Sequence, residues 1–563
     1  MNGVRRSLAR PLVLILSAIF TGVALAGKIA GPLRLEVWNA SLSVRTLSRP
    51  LIVAALLFLV HAALDRPRQI TRIVDSLGRV LIGAIACAGV IGWMTFLSTT
   101  CGGADSYGYV STAHRLLDGA LVQDEPLAHV LPFDDAIFAA TPLGYTPSAR
   151  VALASVPIYP LGLPALMAGG IAVAGREAPF AIAPVCGLLL LFAVFLATRA
   201  LSFDRDVALT AVALTAVHPV VFTYSIQPMS DVPAAAFFMT AVAALAGERP
   251  RAGIAGLAAA VALLIRPALA PALLALVVLP SLRQQRFAIG PAVRFLIPFG
   301  CGVGVQMASQ WYLYGHPLAN GYADVGVLFS LDRLGVNARS HGYWAWRALG
   351  PVFLGATAIG LALSSRFTRL TMLLVATSVA APYLVYRTFD HWETLRFLLP
   401  ALVLLTIPAA AGILAASRRI TAPSGGLLLA AVLTAVTTYF WVSWLRDATV
   451  FVMAEQETRY RLAGELVTQT TPPGSVVLAQ LHSGSIRYYA DRQSVNWERV
   501  PAGALPRTID ALRAAGHPVY LLFDGDEERG MFERRHGLTD RWLPGGQRRN
   551  IQLLEAPASR APP

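Results

Sequence analysis

The feature that most constrains this chain is a series of long apolar runs separated by short polar segments. A membrane-spanning helix needs about 20 predominantly apolar residues, and eleven runs reach or approach that length. They cover residues 11–27, 50–64, 79–98, 178–198, 207–226, 232–247, 292–313, 348–364, 370–388, 397–416 and 425–445. Two half-length runs, 252–265 and 268–280, flank Arg266 and predict a hairpin with that residue at its tip. The predicted fold class is a polytopic α-helical membrane protein with about 11–13 spans.

Composition supports the same class. Of the 563 residues, 55% are hydrophobic and only 14% are charged, whereas soluble domains contain about 25% charged residues. The formal charge of +14 does not indicate a nucleic-acid partner, because the arginines form short clusters between apolar runs, as the positive-inside rule describes. Three of the four cysteines lie in apolar runs. Neither a disulfide framework nor a zinc site is therefore predicted.

Arginine placement also predicts the orientation of the spans in a bacterial inner membrane. Residues 99–177, 314–347, 389–396 and the C-terminal tail are expected on the extracytoplasmic side. This scheme requires that 151–175, which contains three helix-breaking prolines, lies at the interface without crossing. The arginines expected on the cytoplasmic side are Arg5, Arg6, Arg10, Arg66, Arg68, Arg72, Arg79, Arg199, Arg205, Arg249, Arg251, Arg283, Arg286, Arg366, Arg369, Arg418 and Arg419.

Two features near the N-terminus complicate this topology. The first apolar run follows three arginines and ends in Ala24-Leu25-Ala26-Gly27, which is typical of a cleavable signal peptide. A retained span is the expectation, because many further spans follow; both alternatives leave residue 28 outside. The loop 28–49 is then extracytoplasmic although it carries Lys28, Arg34, Arg45 and Arg49.

The tail has a different character from the rest of the chain. Helical and strand patterns alternate along it, which predicts a small extracytoplasmic α/β domain at 447–563 beside a membrane domain at 1–446. Segments 482–485 and 524–526 follow predicted strands, where such sheets bind ligands; ordinary turns fit them equally well. The predicted elements are helix 453–470, strand 475–480, helix 485–490, strand 494–497, helix 505–515, strand 519–523 and helix 526–535.

Asp105 stands out in the first large extracytoplasmic loop. It follows the apolar run 79–98 and the pair Gly102-Gly103. A carboxylate at a membrane boundary is unfavourable unless it has a partner or a function. Tyr107, Tyr109 and later apolar residues recur at helical spacing after it. The pattern predicts a short amphipathic helix at the interface, beginning near Asp105.

Three further charged residues adjoin apolar runs on the same predicted side. Asp231 precedes one run, Arg396 precedes another, and Arg266 lies between the two half-length runs. Asp231 before Val232-Pro233 is equally consistent with a helix N-cap. Arg396 is equally consistent with an arginine that snorkels to the interface. The position of Arg266 between two apolar runs is harder to explain unless an anionic group pairs with its side chain.

Carboxylates and arginines on one side of a membrane are typical of a particular transfer chemistry. A carboxylate can act as general base on an acceptor hydroxyl. Arginines can bind the phosphate of a lipid-linked donor and stabilise it as a leaving group. Grooves between apolar helices can hold the lipid. The sequence has no Gly-rich nucleotide-binding loop, so a soluble nucleotide-sugar donor is disfavoured.

The order of these motifs resembles a known family. The sequence contains Gly-Ala-Asp105-Ser-Tyr-Gly-Tyr, then Ser230-Asp231-Val-Pro, a hairpin around Arg266, Tyr314-Gly-His-Pro and Leu-Arg396-Phe-Leu-Leu-Pro, before the α/β tail. Over roughly 90–500 this is similar to the GT-C fold glycosyltransferases, in particular the branch of protein O-mannosyltransferases and the lipid A aminoarabinose transferase. The resemblance implies that Asp105 is the catalytic carboxylate and that Asp231 is a second acid.

The chain departs from that family in two respects. Two extra spans precede Asp105, and Ser106 occupies the position at which protein mannosyltransferases carry Glu, which weakens the inference of a protein acceptor. Some relatives bind a divalent metal. The sequence does not identify a cofactor and does not require a metal. Candidate ligands for a divalent metal are Glu125, His129 and His316.

The resulting hypothesis is a membrane glycosyltransferase that moves a sugar from a polyprenyl-phosphate donor to a hydroxyl of a glycan, lipid or protein acceptor, with inversion. Asp105 and Asp231 are the catalytic candidates, and Arg396 and Arg266 are the candidates for binding the donor phosphate. The residues predicted to line the substrate site are Tyr107, Tyr109, His114, Arg115 and Tyr322.

Two rival functions are compatible with a polytopic chain. A transporter or flippase of a lipid-linked glycan would place charged groups near the membrane midplane and show repeat symmetry, and neither is evident in the sequence. A non-catalytic scaffold with a sensing tail would tolerate replacement of Asp105.

Overall fold

A computed structural model describes residues 2–30, 33–37, 40–44, 50–51, 53–55, 57, 70–322, 325–421, 426–537 and 542–557. The predicted span 50–64 and the basic residues Arg66 and Arg68 fall largely outside this part of the chain. The contacts divide the chain into two compact units. The first comprises Met1–Leu97, Ala183–Val303 and Val325–Phe451, and the second comprises Ser98–Ile182, Gly304–Asp324 and Val452–Pro563.

The apolar runs form helices. In the described part of the chain, eight helices are long and apolar enough to cross a membrane, or up to nine if a helix pair bent by 58° at His218 counts as one span. Four shorter apolar helices accompany them, among them Asp231–Leu245 and Ala252–Ile265. The chain is therefore a multi-pass membrane protein. The helices are Asn2–Ala30, Ile70–Thr95, Ala178–Ala200, Arg205–Val217, Pro219–Ser225, Asp231–Leu245, Ala252–Ile265, Ala270–Ala275, Leu279–Gln284, Ile289–Tyr314, Val325–Leu328, Leu334–Leu363, Arg366–Val385, Leu399–Ile420 and Gly426–Asp447.

Small residues allow helices of the first unit to approach closely. A Cβ atom at Gly360 would lie 1.8 Å from the carbonyl oxygen of Pro408, and one at Gly412 would lie 1.9 Å from that of Ala356. Helices Leu334–Leu363 and Leu399–Ile420 therefore pack backbone against backbone, as small residues permit in membranes. The first of them is kinked at Gly350, where φ is +78° and Pro351 follows.

Ion pairs join loops that the arginine pattern assigned to the cytoplasmic side. Arg79 Nε lies 2.9 Å from Asp206 Oδ1, and Arg418 Nη1 lies 3.0 Å from Asp204 Oδ2. Arg418 is near the end of helix Leu399–Ile420, whereas Arg396 precedes its start. A helix of 22 residues is about 33 Å long, which is enough to cross the hydrocarbon core. Arg418 and Arg396 thus lie at opposite ends of one span-length helix.

The second unit contains a five-stranded sheet. Its order is Gln493–Val495, Val476–Leu478, Val519–Asp524, Ile551–Glu555 and Leu543–Arg548. The first three strands are parallel, and the last two form an antiparallel hairpin. All seven elements that the sequence predicted for the tail are present, with helices Met453–Thr470, Ser483–Ala490, Leu505–Ala514 and Asp526–His536. The hairpin 543–555 was not predicted.

The large loop of residues 98–182 belongs to the same compact unit as the tail. It forms helices Asp105–Leu117, Ala136–Ala140 and Gly162–Ala174 and a three-stranded antiparallel sheet of Gln123–Asp124, Ala154–Pro157 and Tyr145–Pro147. The sequence pattern instead predicts that 99–177 is part of the membrane domain 1–446. The physical reason for the difference is a shared apolar core, in which Leu127, Leu131 and Ala140 of the loop pack with tail residues such as Trp497 and Phe523.

A buried ion pair also joins the loop to the tail. Glu125 is 1% exposed, and its Oε2 accepts a hydrogen bond of 2.8 Å from Arg487 Nη1. Ser155 donates to the other carboxylate oxygen at 2.6 Å. Arg487 also donates to the Ser494 hydroxyl and to the Ala140 carbonyl. Because every charged group has close partners, the pair is tolerated in the interior.

Candidate active site

Asp105 is the first residue of helix Asp105–Leu117. The preceding Gly103 has φ +61°, a conformation that glycine adopts readily, and it turns the chain from the end of the previous helix into this one. A carboxylate in the first helical turn interacts favourably with the helix dipole. Tyr159 donates a hydrogen bond of 2.5 Å to Asp105 Oδ1, a short distance typical of a hydroxyl on a carboxylate.

Tyr159 is held by its surroundings. Its ring centroid lies 4.6 Å from that of Tyr109 and 5.9 Å from that of Tyr322, which meets it edge-on. The backbone before it is fixed by Tyr314, whose hydroxyl donates to the carbonyls of Pro157 and Ile158 at 2.8 and 3.1 Å. Two predicted lining residues, Tyr109 and Tyr322, therefore lie with Asp105 in one cluster, which we call the Asp105 cluster.

Tyr159 is protonated and can therefore donate a hydrogen bond. Burial and the negative charge of Asp105 hold the pKa of the Tyr159 phenol well above its ordinary value. Tyr159 therefore stays protonated at neutral pH and keeps donating to Asp105.

The other predicted lining residues lie on the opposite face of the same helix. Tyr107, His114 and Arg115 border a cavity of about 230 Å³. With 100° per residue, Tyr107 and His114 lie about 180–200° from Asp105 around the helix, and Arg115, about 80° from Asp105, lies at the edge of that face. Tyr107 is 2% exposed, and a Cβ atom at Gly484 would lie 2.3 Å from its ring. The residues predicted to line the substrate site are thus divided between the Asp105 cluster and this cavity.

Asp231, Arg266 and Arg396 come together within the first unit. Arg266 Nη1 lies 2.8 Å from Asp231 Oδ1, and the two side chains are 14% and 1% exposed. The same nitrogen donates to the Arg396 carbonyl at 3.2 Å. The Arg396 guanidinium lies 5.2 Å from the centroid of Phe397 and 5.8 Å from that of Tyr224. The three charged side chains carry two positive charges and one negative charge. We call them the arginine cluster.

The loops at the carboxyl ends of the tail strands also meet. His482 Nε2 and Arg459 Nη1 lie 3.3 and 3.2 Å from Asp524 Oδ2. Burial opposes ionisation of Asp524, but the hydrogen bond and charge of His482 and the charge of Arg459 hold its pKa below the ordinary value. Asp524 and Arg459 border a cavity of about 580 Å³, with Glu457 among the other residues that line it.

The metal-ligand candidates do not form a site. In the described ranges, no group of three or more His, Cys, Asp or Glu residues is arranged to hold a metal ion. Glu125 is instead bonded to Arg487 and Ser155. His129 Nε2 lies 3.7 Å from Asp124 in an exposed pair, and His316 Nδ1 accepts from the Leu318 backbone. Within the described ranges, the surroundings of these three residues do not fit a bound divalent ion.

Sequence reasoning missed Tyr159, which donates a hydrogen bond to Asp105. Tyr159 lies between Pro157 and Pro160, in a segment predicted only to avoid crossing the membrane. One signal was available: an Asp at a membrane boundary needs a donor, and tyrosine is enriched at such boundaries. Several tyrosines met that description, so the pairing itself required the structure.

The sequence matches no protein-family model and no curated protein. Solved structures do match. ArnT from Cupriavidus metallidurans in the apo state has a TM-score of 0.52 at 12% identity, with 84% of this chain and 96% of ArnT covered. ArnT bound to undecaprenyl phosphate has a TM-score of 0.51 at 13% identity, with 85% and 98% covered. AglB from Archaeoglobus fulgidus, an archaeal oligosaccharyltransferase, has a TM-score of 0.45 at 11% identity, with 78% and 69% covered.

ArnT and this chain share a fold over 96% of ArnT and 84% of this chain. At 12% identity this likeness concerns the fold and leaves the roles of individual residues as predictions. The chain has the GT-C fold, as its motifs predicted.

Proposed function

We propose that this protein is a membrane glycosyltransferase. It moves a sugar from a polyprenyl-phosphate donor to a hydroxyl of an envelope acceptor, on the extracytoplasmic side of a bacterial inner membrane. The observation that carries the proposal is the Asp105 cluster, in which a carboxylate at a helix N-terminus is held by a protonated tyrosine. The GT-C fold supports it, since ArnT with that fold has been solved with undecaprenyl phosphate bound.

Asp105 is proposed to be the general base. Tyr159 donates to Oδ1, which fixes the orientation of the carboxylate. The acceptor oxygen attacks the anomeric carbon of the sugar while its proton passes to Asp105. The bond between the anomeric carbon and the phosphate oxygen breaks on the opposite face, and its electron pair leaves with the phosphate. The sugar is transferred with inversion.

The arginine cluster is proposed to hold the departing phosphate. Its two guanidinium groups exceed its single carboxylate by one charge, and a poorly hydrated cationic site favours a phosphate anion. Asp231 orients Arg266 through the 2.8 Å contact and is proposed to act as a positioning residue, whereas Arg266 and Arg396 contact the phosphate. Charge that develops on the leaving group is stabilised by such preset cations.

The test is donor consumption by the purified full-length protein in lipid nanodiscs. Undecaprenyl-phosphate sugars are supplied singly, with envelope extract as acceptor, and release of undecaprenyl phosphate is measured by mass spectrometry. Asp105→Asn is expected to reduce turnover by about 10²–10⁴-fold, which is the usual contribution of a general base. Asn keeps the shape and still accepts from Tyr159, so the variant should fold.

Asp118→Asn is the matched control, because Asp118 is exposed at the other end of the same helix and should retain full turnover. A flippase would move the lipid-linked glycan without breaking its glycosyl bond, so undecaprenyl phosphate would not accumulate. That result with every donor, or full turnover in Asp105→Asn, overturns the proposal.

A further inference from the structure

The cavity on the opposite face of helix Asp105–Leu117 has the chemistry of an anion site. Its wall contains three guanidinium groups, from Arg115, Arg487 and Arg492, and one carboxylate, from Asp491. Glu125 neutralises Arg487 from behind at 2.8 Å. One net positive charge therefore remains on the wall. Tyr107, Tyr488 and His114 complete an aromatic border.

Two of the three arginines, Arg487 and Arg492, already donate hydrogen bonds to other groups of the protein. Arg487 donates to Glu125, Ser494 and Ala140. Arg492 donates to backbone carbonyls at Ala490 and Thr471, at 3.0 Å each. These bonds fix the two guanidinium groups in place. Arg492 contributes its charge to the cavity without a carboxylate partner in the described ranges.

Arg115 is different, because one of its guanidinium nitrogens makes no hydrogen bond to the described residues. Its guanidinium stacks on the ring of Tyr145, 4.1 Å from the centroid. The Tyr145 hydroxyl is in turn held by Ser111 and Thr112 at 2.7 and 3.1 Å. Arg115 Nη1 has no hydrogen-bond partner among the described residues, although it is shielded from solvent. A buried donor without a partner is unfavourable, and a bound anion would supply one.

A second polar atom in the same wall lacks a partner. Gln493 Oε1 is shielded from solvent and accepts no hydrogen bond from the described residues. A ligand that has a hydroxyl beside its anionic group would satisfy it. The volume of about 230 Å³ admits a phosphate or a carboxylate together with part of the sugar that bears it.

We propose that this cavity binds a phosphate or carboxylate group of the acceptor, with Arg115 as the principal contact. That the ligand is the acceptor rests on the proposed glycosyl transfer; that the cavity binds an anion does not. Arg115 follows Asp105 by ten residues on one helix, which corresponds to roughly 15 Å along the axis. The acceptor would then be an anionic glycan or glycolipid whose charged group lies more than one sugar unit from the hydroxyl that is modified.

Anion binding is tested first, without reference to turnover. Inorganic phosphate and glucuronate are titrated into the full-length protein in nanodiscs and followed by calorimetry, with glucose as the neutral control. Both anions should bind, and glucose should not. Arg115→Gln should weaken binding by about tenfold or more, because one charge-assisted hydrogen bond is lost. Arg507→Gln, at an exposed position that does not line the cavity, should bind as the parent protein does.

Gln493→Ala provides a second variant that leaves the Arg115 stack intact, and it should weaken glucuronate more than phosphate. Absence of anion binding in the parent protein, or undiminished binding in Arg115→Gln and Gln493→Ala, overturns the anion site. This result would leave the glycosyl transfer proposal untouched.

The acceptor assignment is tested by kinetics. In the donor-consumption assay, Arg115→Gln should raise the KM for the acceptor by about tenfold while kcat at saturating acceptor is retained, as for a contact made equally in ground and transition states. If the variant binds anions poorly yet keeps the parent KM, the cavity is a site for free phosphate, and the acceptor assignment is wrong.

Discussion

Gly108 offers a sharp test of how the Asp105 cluster is built. It lies in helix Asp105–Leu117 against the ring of Tyr159. A Cβ atom at this position would lie 2.4 Å from Tyr159 Cε2 and 2.6 Å from Cδ2. Ordinary contact begins near 3.4 Å, so Gly108→Ala forces a separation of about 1 Å between the helix and the ring.

The magnitude follows from that separation. Overpacking a buried site costs about 1–3 kcal/mol, whereas replacing glycine by alanine in a helix otherwise gains about 0.5–1 kcal/mol. The net expectation is a loss of up to about 2 kcal/mol. A 1 Å displacement also exceeds the spread of normal hydrogen-bond lengths, so the 2.5 Å bond from Tyr159 to Asp105 is lost. Misplacement of this size reduces turnover by about 10²-fold.

The assay combines thermal unfolding in nanodiscs with donor consumption. Gly169→Ala is the control, because Gly169 is exposed within helix Gly162–Ala174 and a Cβ atom there meets nothing within 4 Å; this variant should be as stable as the parent protein or slightly more so. In a Tyr159→Ala background the penalty of Gly108→Ala should shrink to the cost of the 3.3 Å contact with Gly144 Cα, since the clashing ring is gone. Equal effects of Gly108→Ala and Gly169→Ala, or an undiminished penalty without the ring, would refute the reasoning.

Three further predictions concern buried groups. Glu125→Gln leaves the Arg487 charge uncompensated and should lower stability by about 3–5 kcal/mol, with part restored when Arg487→Met is added; a parent-like unfolding temperature would contradict this. Asp231→Ala should be destabilising for the same reason, and Asp231→Ala with Arg266→Met should recover stability without recovering donor consumption. The raised pKa of Tyr159 means that stability is complete below about pH 10 and is lost as pH rises above it. Tyr159→Phe should therefore unfold less steeply above pH 10 in circular dichroism, and equal slopes would contradict the assignment.

Local patterns were sufficient for much of the fold. Apolar runs located the helices, because a span has to satisfy its backbone internally whatever its neighbours are. Short apolar runs located Val476–Leu478 and Val519–Asp524 in the tail, since strands buried in a parallel sheet have near-continuous apolar sequence. The edge strand Leu543–Arg548 contains Pro544, Gly545 and Gly546 and carries no such pattern. Its position depends on pairing with Ile551–Glu555, which no local property indicates.

The charged members of the candidate site were easier to identify from the sequence than the aromatic ones. Asp231, Arg266 and Arg396 were identified because each charge adjoins an apolar run, and they do lie together. Tyr107 and Tyr109 have the same local character, yet one lines the cavity on the far face of the helix and the other packs on Tyr159. Two positions apart on a helix differ by about 200°. Which face meets which partner is decided by long-range contacts such as that of Tyr107 with Gly484.

The shared core of loop and tail has a consequence for how the protein is made. The loop is complete at residue 182 and the tail begins at 452, so 452 − 182 = 270 residues separate them. At about 5–20 residues per second, the ribosome needs roughly 15–55 s to bridge that interval. During this time the apolar side chains of Leu127 and Leu131 have no tail residues to pack against. The Glu125 carboxylate also lacks its partner Arg487. The segment that bears Asp105 therefore matures last although it is synthesised early, and a nascent chain interrupted before the tail presents an unfinished apolar surface to the chaperones and proteases of its compartment.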